Sequence, residues 1–322
     1  MTDTPNIAGE EARAASKIPF RLRLKAWWEG YDLDVRPKDA TESDSGAGTA
    51  RSQEPAKTFE RWDESHIEIL QSIWGGDHVT AGTDAEILRL VKPLGLNPST
   101  SLLHLGAGLG GAARLMAKNF GTWVTGLESE PKLVEAGMAL SKRAGFEKKA
   151  PVHRFDPEAP DLESKRFDCI FAHTAFFAIE DKNALLKAMD KSLREQGQIL
   201  FTDFVLAQDK ARNEAFEAWV AGEAVEPHLW TLQQYAEVLA SLKLDVRVTE
   251  DMTRTYCDQV VKAWADYMVA QRGSAVSEDL APALVEEVEL WTRRVQAMQA
   301  GPLRVGRLYC IRKGGSRLMS DW

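Results

Sequence analysis

From about residue 59 onward, short apolar runs alternate with segments in which apolar residues recur every three or four positions. The short runs predict seven β-strands, over 101–105, 122–127, 151–155, 167–172, 197–204, 244–250 and 304–312. Helices are predicted between most of these strands, for example over 131–144, 182–194 and 231–242. Strands that alternate with helices form a mostly parallel sheet with helices on both faces, so we expect an α/β fold.

Helical patterns outside this alternation predict a cap around the sheet. Two helices are expected before the first strand, over 62–74 and 84–94. Two insertions interrupt the later strands, one over about 207–226 and one over about 253–300 that has a break near Gly273. The division that we expect is a set of cap helices over 58–100, a core over 101–252, a helical insertion over 253–302, and a last strand with a tail over 303–322.

The N-terminal segment 1–57 differs in composition from the rest of the chain. Its residues are mostly small and polar, and 38–57 has almost nothing to bury, so we expect a mostly disordered extension. An ordered island is expected at 18–35, where four apolar side chains share one helical face, namely Phe20, Leu24, Trp27 and Tyr31. The same residues also alternate as in a strand, so the form of the island stays open. The apolar face of the island is expected to pack against the protein's own fold, against another protein or against an anionic membrane surface.

Composition and charge exclude several classes of protein. The 322 residues carry a formal net charge of -8, which argues against a protein that binds nucleic acid by neutralising phosphates. No apolar run approaches the roughly 20 residues that a membrane-spanning helix needs, and no signal peptide is recognisable, so we expect no stable membrane insertion. The cysteines, Cys169, Cys257 and Cys310, are far apart and indicate neither a disulfide framework nor a metal site. We therefore expect a soluble, cytoplasmic protein without a bound metal.

The segment 101–128 indicates the chemistry. An apolar run leads into a glycine-rich turn, a helical pattern follows, and the next strand ends at Glu128; the glycines are Gly106, Gly108, Gly110 and Gly111. Glycines let the backbone approach a nucleotide, a helix start offers free N–H groups, and a carboxylate accepts hydrogen bonds from a ribose. We therefore expect a nucleoside cofactor. The spacing also satisfies the dinucleotide pattern G-x-G-x-x-G, so an NAD(P)-dependent oxidoreductase stays open.

The strands after the glycine turn discriminate between the cofactors. Phe155-Asp156 follows the third strand, the fourth strand reads Phe-Asp-Cys-Ile-Phe-Ala from Phe167, and Leu-Arg-Glu-Gln-Gly-Gln leads from Leu193 into the fifth. With these motifs the chain resembles, over about 60–315, the class I S-adenosylmethionine-dependent methyltransferases. The resemblance implies a Rossmann-like, doubly wound sheet of seven strands with an antiparallel last strand, and a helical cap in which 253–302 forms a substrate lid.

Within that class, 73–77 and 106–113 are similar to small-molecule N-methyltransferases that act on phosphoethanolamine, or on glycine and its methylated derivatives. The phosphoethanolamine group carries an Arg-Asp pair and a histidine where this chain has His173, Thr174 and Ala178. The replacement of all three residues argues against phosphoethanolamine as the acceptor.

The resemblance implies a set of cofactor-binding residues. The glycine turn would pass beneath the methionine and ribose parts of S-adenosylmethionine, and Glu128 would accept hydrogen bonds from both ribose hydroxyls. Ser129 and Phe155 would lie beside the adenine, and Asp156 would contact its amino group. The full set is His104, Gly106, Ala107, Gly108, Gly110, Glu128, Ser129, Phe155, Asp156, His173 and Thr174.

Two further departures from the family pattern affect the expected function. His104 stands where the family usually has an acid that contacts the cofactor's amino group, and Gln198 replaces the second glycine before the fifth strand. The departures at His104 and Ala178 keep open a catalytically inactive S-adenosylmethionine-binding scaffold that acts through residues 18–35.

The reacting side chains are assigned from their positions. An acceptor must be held in line with the methyl group, and a hydroxyl or carbon acceptor usually needs a base as well. His173, after the fourth strand, is the expected base, or else it only orients the cofactor or caps a helix. Trp74, His228 and Trp264 are the expected substrate contacts, although core packing explains the tryptophans equally well. We expect methyl transfer to a small-molecule acceptor, while a lipid acceptor and a homo-oligomer stay open.

Overall fold

The computed structural model describes residues 62–207, 212–271 and 276–313. The predictions for the extension 1–57, with its island at 18–35, and for the tail beyond 313 lie outside the described residues. No helix in the described ranges is both long enough and apolar enough to span a membrane.

The strands form one seven-stranded sheet. In chain order they are β1 Ser101–Leu105, β2 Trp123–Glu128, β3 Val152–Arg154, β4 Phe167–His173, β5 Leu193–Leu206, β6 Leu244–Asp251 and β7 Leu303–Arg312. The order in the sheet is β3-β2-β1-β4-β5-β7-β6. Only β7 is antiparallel to its neighbours, β5 and β6, which confirms the predicted α/β fold with a reversed last strand. The strand order reverses between β1 and β4, and ligands of such sheets bind outside the carboxyl ends of the strands at that point.

The helices of the described residues cover both faces of the sheet and form the cap. They are α1 Glu64–Trp74, α2 Asp84–Leu90, α3 Gly111–Phe120, α4 Pro131–Arg143, α5 Lys182–Ser192, α6 Glu214–Gly222, α7 Leu232–Ser241, α8 Thr253–Ala270 and α9 Ala281–Ala300. α2 is shorter than predicted because Pro93, which has no N–H group, lies in a separate 3-10 turn at Lys92–Leu94. α5 also ends early, since Leu193 already pairs with Phe167 of β4.

The two faces of the sheet have separate cores because successive side chains of a strand point in opposite directions. Leu103, Leu105 and Phe201 pack in one core with residues of α5 and α7. Leu102, Phe171 and Leu200 pack in the other core with residues of α2 and α3. The predicted strand pattern therefore places the carboxyl ends of β1 and β4 between two layers of helices, where the glycine turn begins.

Candidate functional site

The glycine turn lies in tight contact with the segments on both of its sides. Gly106 and Gly108 have φ angles of 67° and 55°, which are left-handed conformations that favour glycine. A Cβ atom at Gly106 would lie 2.4 Å from the Cβ of Ala175, and one at Gly108 would lie 2.8 Å from Cγ2 of Val79. The turn therefore requires glycine at both positions for its backbone conformation and for its close approach to β4 and to the cap.

The Glu128 carboxylate lies against this turn. It is buried, and its Oε2 accepts the N–H of Gly108 at 2.8 Å. Its Oε1 accepts the N–H groups of Ser129 and Glu130 at 2.7 and 3.0 Å. The Ser129 hydroxyl also donates to Oε1, at 3.3 Å. A carboxylate has about four lone-pair positions, two on each oxygen, so Oε2 can accept one further hydrogen bond.

A shallow apolar pocket lies next to the carboxylate. Leu105, Leu127, Phe155, Phe176 and Ile179 line it, and Ser129 lies in its wall. These residues come from the carboxyl ends of β1 and β2 and from the segments after β3 and β4. The pocket can bind the face of a flat ring.

Of the predicted cofactor residues, Asp156 is exposed to solvent, whereas His104 is buried. Asp156 is exposed, and its Oδ1 accepts the N–H of Glu158 at 3.0 Å. His104 is buried on the sheet face beside Phe171, with the two ring centroids 5.2 Å apart. Burial and the nearby His173 and His78 lower the pKa of His104 to about 3, so its ring is neutral. Within the described residues, Nδ1 of His104 is buried without a hydrogen-bond partner.

His173 connects the cap to the sheet. Its Nε2 lies 2.7 Å from the carbonyl oxygen of Ala81, and its Nδ1 lies 2.7 Å from Oγ1 of Thr202. Because a carbonyl oxygen only accepts, Nε2 carries the proton and Nδ1 accepts from the Thr202 hydroxyl. Burial lowers the pKa of His173, which favours this neutral form. Since both ring nitrogens are engaged, these contacts suit a positioning role, and the expected role as a base stays a prediction.

A cavity of about 150 Å³ lies between α2, α8 and the carboxyl edge of the sheet. Its lining includes His173, Thr202, Tyr256, Glu250 and Arg307. Arg307 and Glu250 form an ion pair of 2.5 Å, and Nε of Arg307 is buried with no partner among the described residues. The cavity therefore presents both charges to a ligand close to His173. Sequence analysis did not identify Tyr256 or Arg307, because their positions in a helix and a strand carry no local motif.

The tryptophans expected to contact substrate belong to an aromatic cluster of the cap. The ring of Trp74 lies 6.4 Å from that of Trp264 and 4.7 Å from that of Trp291. The guanidinium of Arg294 lies 4.7 Å from the centroid of Trp291 and is hydrogen-bonded to Glu223 at 2.7 and 2.9 Å. A protein cation thus already occupies an aromatic face of the cluster, and the substrate contacts at Trp74 and Trp264 stay predictions.

The main chain of His228 lies close to the segment that follows β4. Its N–H donates to the carbonyl of Phe177 at 2.8 Å, and its own carbonyl accepts from Nζ of Lys182 at 2.5 Å. These contacts give the backbone of His228 a role in holding that segment. A substrate contact by its side chain stays a prediction.

A buried carboxylate, which sequence analysis did not identify, supports the segment after β4. Asp203 accepts the hydroxyl of Tyr235 at 2.8 Å and the N–H of Phe176 at 3.1 Å. Burial raises its pKa to about 6, and the positive charge of Lys182 partly opposes the shift. The wall of the apolar pocket is therefore held by a titratable group.

The titration of Asp203 gives a pH dependence of stability. Because its pKa is higher in the folded chain than the ordinary value of 3.8, its protonation favours the folded state. This contribution is complete below about pH 4 and is lost as the pH rises through about 6. We expect the free energy of unfolding of the wild type, relative to Asp203→Asn, to fall by about 2 kcal/mol between pH 4 and pH 7 in urea titrations.

The Lys182→Met variant provides the second arm of this measurement. Removing the positive charge raises the pKa of Asp203 further, so the loss of stability should become larger and extend to higher pH. A difference between wild type and Asp203→Asn that does not change from pH 4 to pH 7 would contradict this account.

Comparisons with known proteins identify the family. A model of the methyltransferase domain family matches residues 78–246, which is more than half of the chain. Phosphoethanolamine N-methyltransferase 1 of Zea mays is 24% identical over 236 residues, which cover 73% of this chain and 46% of that protein. Glycine/sarcosine/dimethylglycine N-methyltransferase of Actinopolyspora halophila is 25% identical over 154 residues, which cover 44% of this chain and 27% of that protein. This chain thus spans about half the length of the maize relative.

A solved structure has the same fold. Phosphoethanolamine N-methyltransferase 2 of Haemonchus contortus, in complex with S-adenosyl-L-methionine, superposes with a TM-score of 0.71 at 18% identity. The superposition covers 79% of this chain and 58% of that chain. From the family match and the fold, the chain belongs to the family of methyltransferase domains, as its motifs predicted.

Proposed function

We propose that this chain is an S-adenosylmethionine-dependent methyltransferase that acts on a small amine. The observation that carries the proposal is the Glu128 carboxylate fixed at 2.8 Å from the N–H of Gly108, at the switch point of the sheet. When bound, S-adenosylmethionine supplies a methyl group on a positively charged sulfur; the acceptor's electron pair forms the new bond, and the pair of the broken bond stays on sulfur.

The residues of the site fit this cofactor. Gly106 and Gly108 allow the tight turn that lies against Ala175 and Val79, Oε2 of Glu128 can accept a ribose hydroxyl, and the apolar pocket beside Phe155 suits the adenine. The neutral His104 has an unpartnered Nδ1 that can accept a hydrogen bond from the ammonium group of the methionine part. His104 would thus bind that group without the negative charge that the family usually supplies there.

The proposed acceptor site is the cavity beside His173. Its volume of about 150 Å³ is close to that of cavities that hold benzene, so the acceptor has on the order of six heavy atoms. Arg307 in the lining favours a polar acceptor with a carboxylate, for example an amino acid whose amine binds neutral. The names of the relatives support an amine as the acceptor. His173 has no free nitrogen to act as a base, which suits an amine, because an amine that binds neutral needs no base.

The cytoplasm remains the proposed compartment, in agreement with free Cys169, Cys257 and Cys310.

Calorimetric titration of the purified chain tests the cofactor. We expect S-adenosylhomocysteine to bind and NAD⁺ and NADP⁺ not to bind, because the family match favours S-adenosylmethionine. The reverse result would establish the oxidoreductase alternative. Mass spectrometry of glycine, sarcosine and dimethylglycine after incubation with S-adenosylmethionine tests the acceptor, and binding without methylation of any amine would support the scaffold.

A further inference from the structure

Two buried hydroxyl groups of the cap and the sheet have no hydrogen-bond partner. They belong to Thr174 and Tyr256, whose side chains are only 5% and 2% exposed. Within the described residues neither Oγ1 of Thr174 nor the phenol oxygen of Tyr256 meets the geometry of a hydrogen bond. An unsatisfied buried hydroxyl costs about 1–3 kcal/mol, so two of them at one place require an explanation.

Thr174 lies at the switch point of the sheet. It is the first residue after β4, and it has a φ angle of 49°, which is unusual for a β-branched residue. Its N–H donates to the carbonyl of Thr202 at 2.8 Å, and the next residue, Ala175, is in contact with Gly106. Its hydroxyl therefore lies where β4 meets the glycine turn, which is the place where ligands of this fold gather.

Tyr256 comes to the same place from α8. Its ring lies 6.3 Å from that of His173, 5.8 Å from that of Phe204 and 6.5 Å from that of Trp291, so packing on three sides fixes it. Tyr256 also lines the 150 Å³ cavity together with His173 and Thr202. The two unpartnered hydroxyls thus lie between the glycine turn and the cavity.

The ionisation state of Tyr256 limits what its hydroxyl can do. Burial raises the pKa of Tyr256 well above its ordinary value, so it stays protonated and is no base. A neutral hydroxyl donates one hydrogen bond and accepts up to two. Because neither hydroxyl oxygen has a partner within the described residues, both keep lone pairs that can accept N–H groups.

We propose that the hydroxyl oxygens of Thr174 and Tyr256 hold the acceptor amine by its N–H groups. This inference rests on the proposed function, and it adds two positioning residues to it. A neutral primary amine donates one N–H group to each oxygen, and a secondary amine donates its single N–H group to the oxygen of Tyr256. In either case the lone pair stays free, directed toward the methyl group. The nitrogen gains positive charge during the transfer, which strengthens these hydrogen bonds at that moment. The nitrogen afterwards releases its proton to water.

The Tyr256→Phe variant tests this role because it keeps the ring and removes only the hydroxyl. We expect kcat/KM for sarcosine, a secondary amine, to fall about 10- to 100-fold. For dimethylglycine, whose neutral form has no N–H group, we expect kcat/KM to change less than about 3-fold. The affinity for S-adenosylhomocysteine should stay as in the wild type. The unfolding midpoint of the unliganded variant should stay the same or rise, because the removed hydroxyl has no partner among the described residues. Tyr267→Phe, in the same helix, is the matched control and should leave both amines unaffected.

The outcomes separate the two proposals. A wild type that binds S-adenosylhomocysteine but methylates none of glycine, sarcosine and dimethylglycine overturns the proposed amine acceptor, and this inference with it. A wild type that methylates sarcosine, with an unchanged kcat/KM in Tyr256→Phe, overturns this inference alone. Equal losses for sarcosine and dimethylglycine, or a lower unfolding midpoint of the unliganded variant, would assign the hydroxyl a structural role instead and also overturn it.

Discussion

We expect the Glu128→Ala variant to bind S-adenosylhomocysteine about 100-fold more weakly than the wild type in calorimetric titrations. The Glu128 carboxylate fixes the glycine turn through Gly108, and under the proposed function its Oε2 also accepts a ribose hydroxyl. A hydrogen bond to a charged group contributes about 1.5–3 kcal/mol, so the loss of the bond to the ribose accounts for an effect of this size.

Glu130→Ala is the matched control for this experiment. Glu130 lies only two residues after Glu128, but its side chain caps the start of α4 by accepting the N–H of Lys132. Its removal should change the affinity less than about 3-fold while costing about 1 kcal/mol of stability. Unchanged affinity in Glu128→Ala, with an unfolding curve like that of the wild type, would show that the ribose is bound elsewhere.

The second large effect is expected where Glu223, at the end of α6, pairs with Arg294 of α9. Glu223→Ala should lower the free energy of unfolding by about 3–5 kcal/mol, measured in urea, because it leaves the Arg294 guanidinium buried without its partner. The two side chains are only 1% and 6% exposed, and their two hydrogen bonds measure 2.7 and 2.9 Å. Nε1 of Trp219 also donates to Glu223, so the variant loses a third hydrogen bond.

An exposed ion pair of α9, the helix that carries Arg294, provides the control. Glu289 and Arg293 pair at 3.2 Å on the solvent side of α9, so Glu289→Ala should cost less than about 1 kcal/mol. The double variant Glu223→Leu with Arg294→Met removes both charges and should regain much of the stability that Glu223→Ala loses. If Glu223→Ala and Glu289→Ala lower the free energy of unfolding equally, the buried pair does not stabilise the packing of α6 against α9.

The strands, the glycine turn and the acid at Glu128 could be predicted because their signals are local. Mostly apolar segments of five and seven residues mark β1 and β4, and the left-handed φ angles of Gly106 and Gly108 favour glycine. The same local rules placed the break between α8 and α9 near Gly273. They also placed Glu128 at the end of β2, one strand away from the turn whose N–H it accepts.

The contacts of the acceptor side could not be predicted in this way. His173 binds the carbonyl of Ala81, which lies 92 positions earlier, and the partner of Arg294 lies 71 positions away. No periodicity or motif encodes such a pair, because it forms only when the cap and the insertions fold against the sheet. From the sequence, His173 is therefore expected to act as a base or else only to orient the cofactor or cap a helix. Tyr256 is not singled out, because its unpartnered hydroxyl is visible only in three dimensions.

The antiparallel strand β7 has a consequence for how this enzyme family can diversify. The long insertion leaves the sheet after Asp251 and returns by Leu303, and Asp251 is the direct pairing partner of Gly306. Because both ends of the insertion are anchored side by side, its length and sequence can change at little entropic cost to the sheet. The helices of this insertion can thus change independently of the sheet, whereas the glycine turn at the carboxyl end of the central strand β1 is in tight contact with its neighbours and tolerates little change. Under the proposed function, substitutions confined to the insertion that carries α8 and α9 can change which acceptor binds.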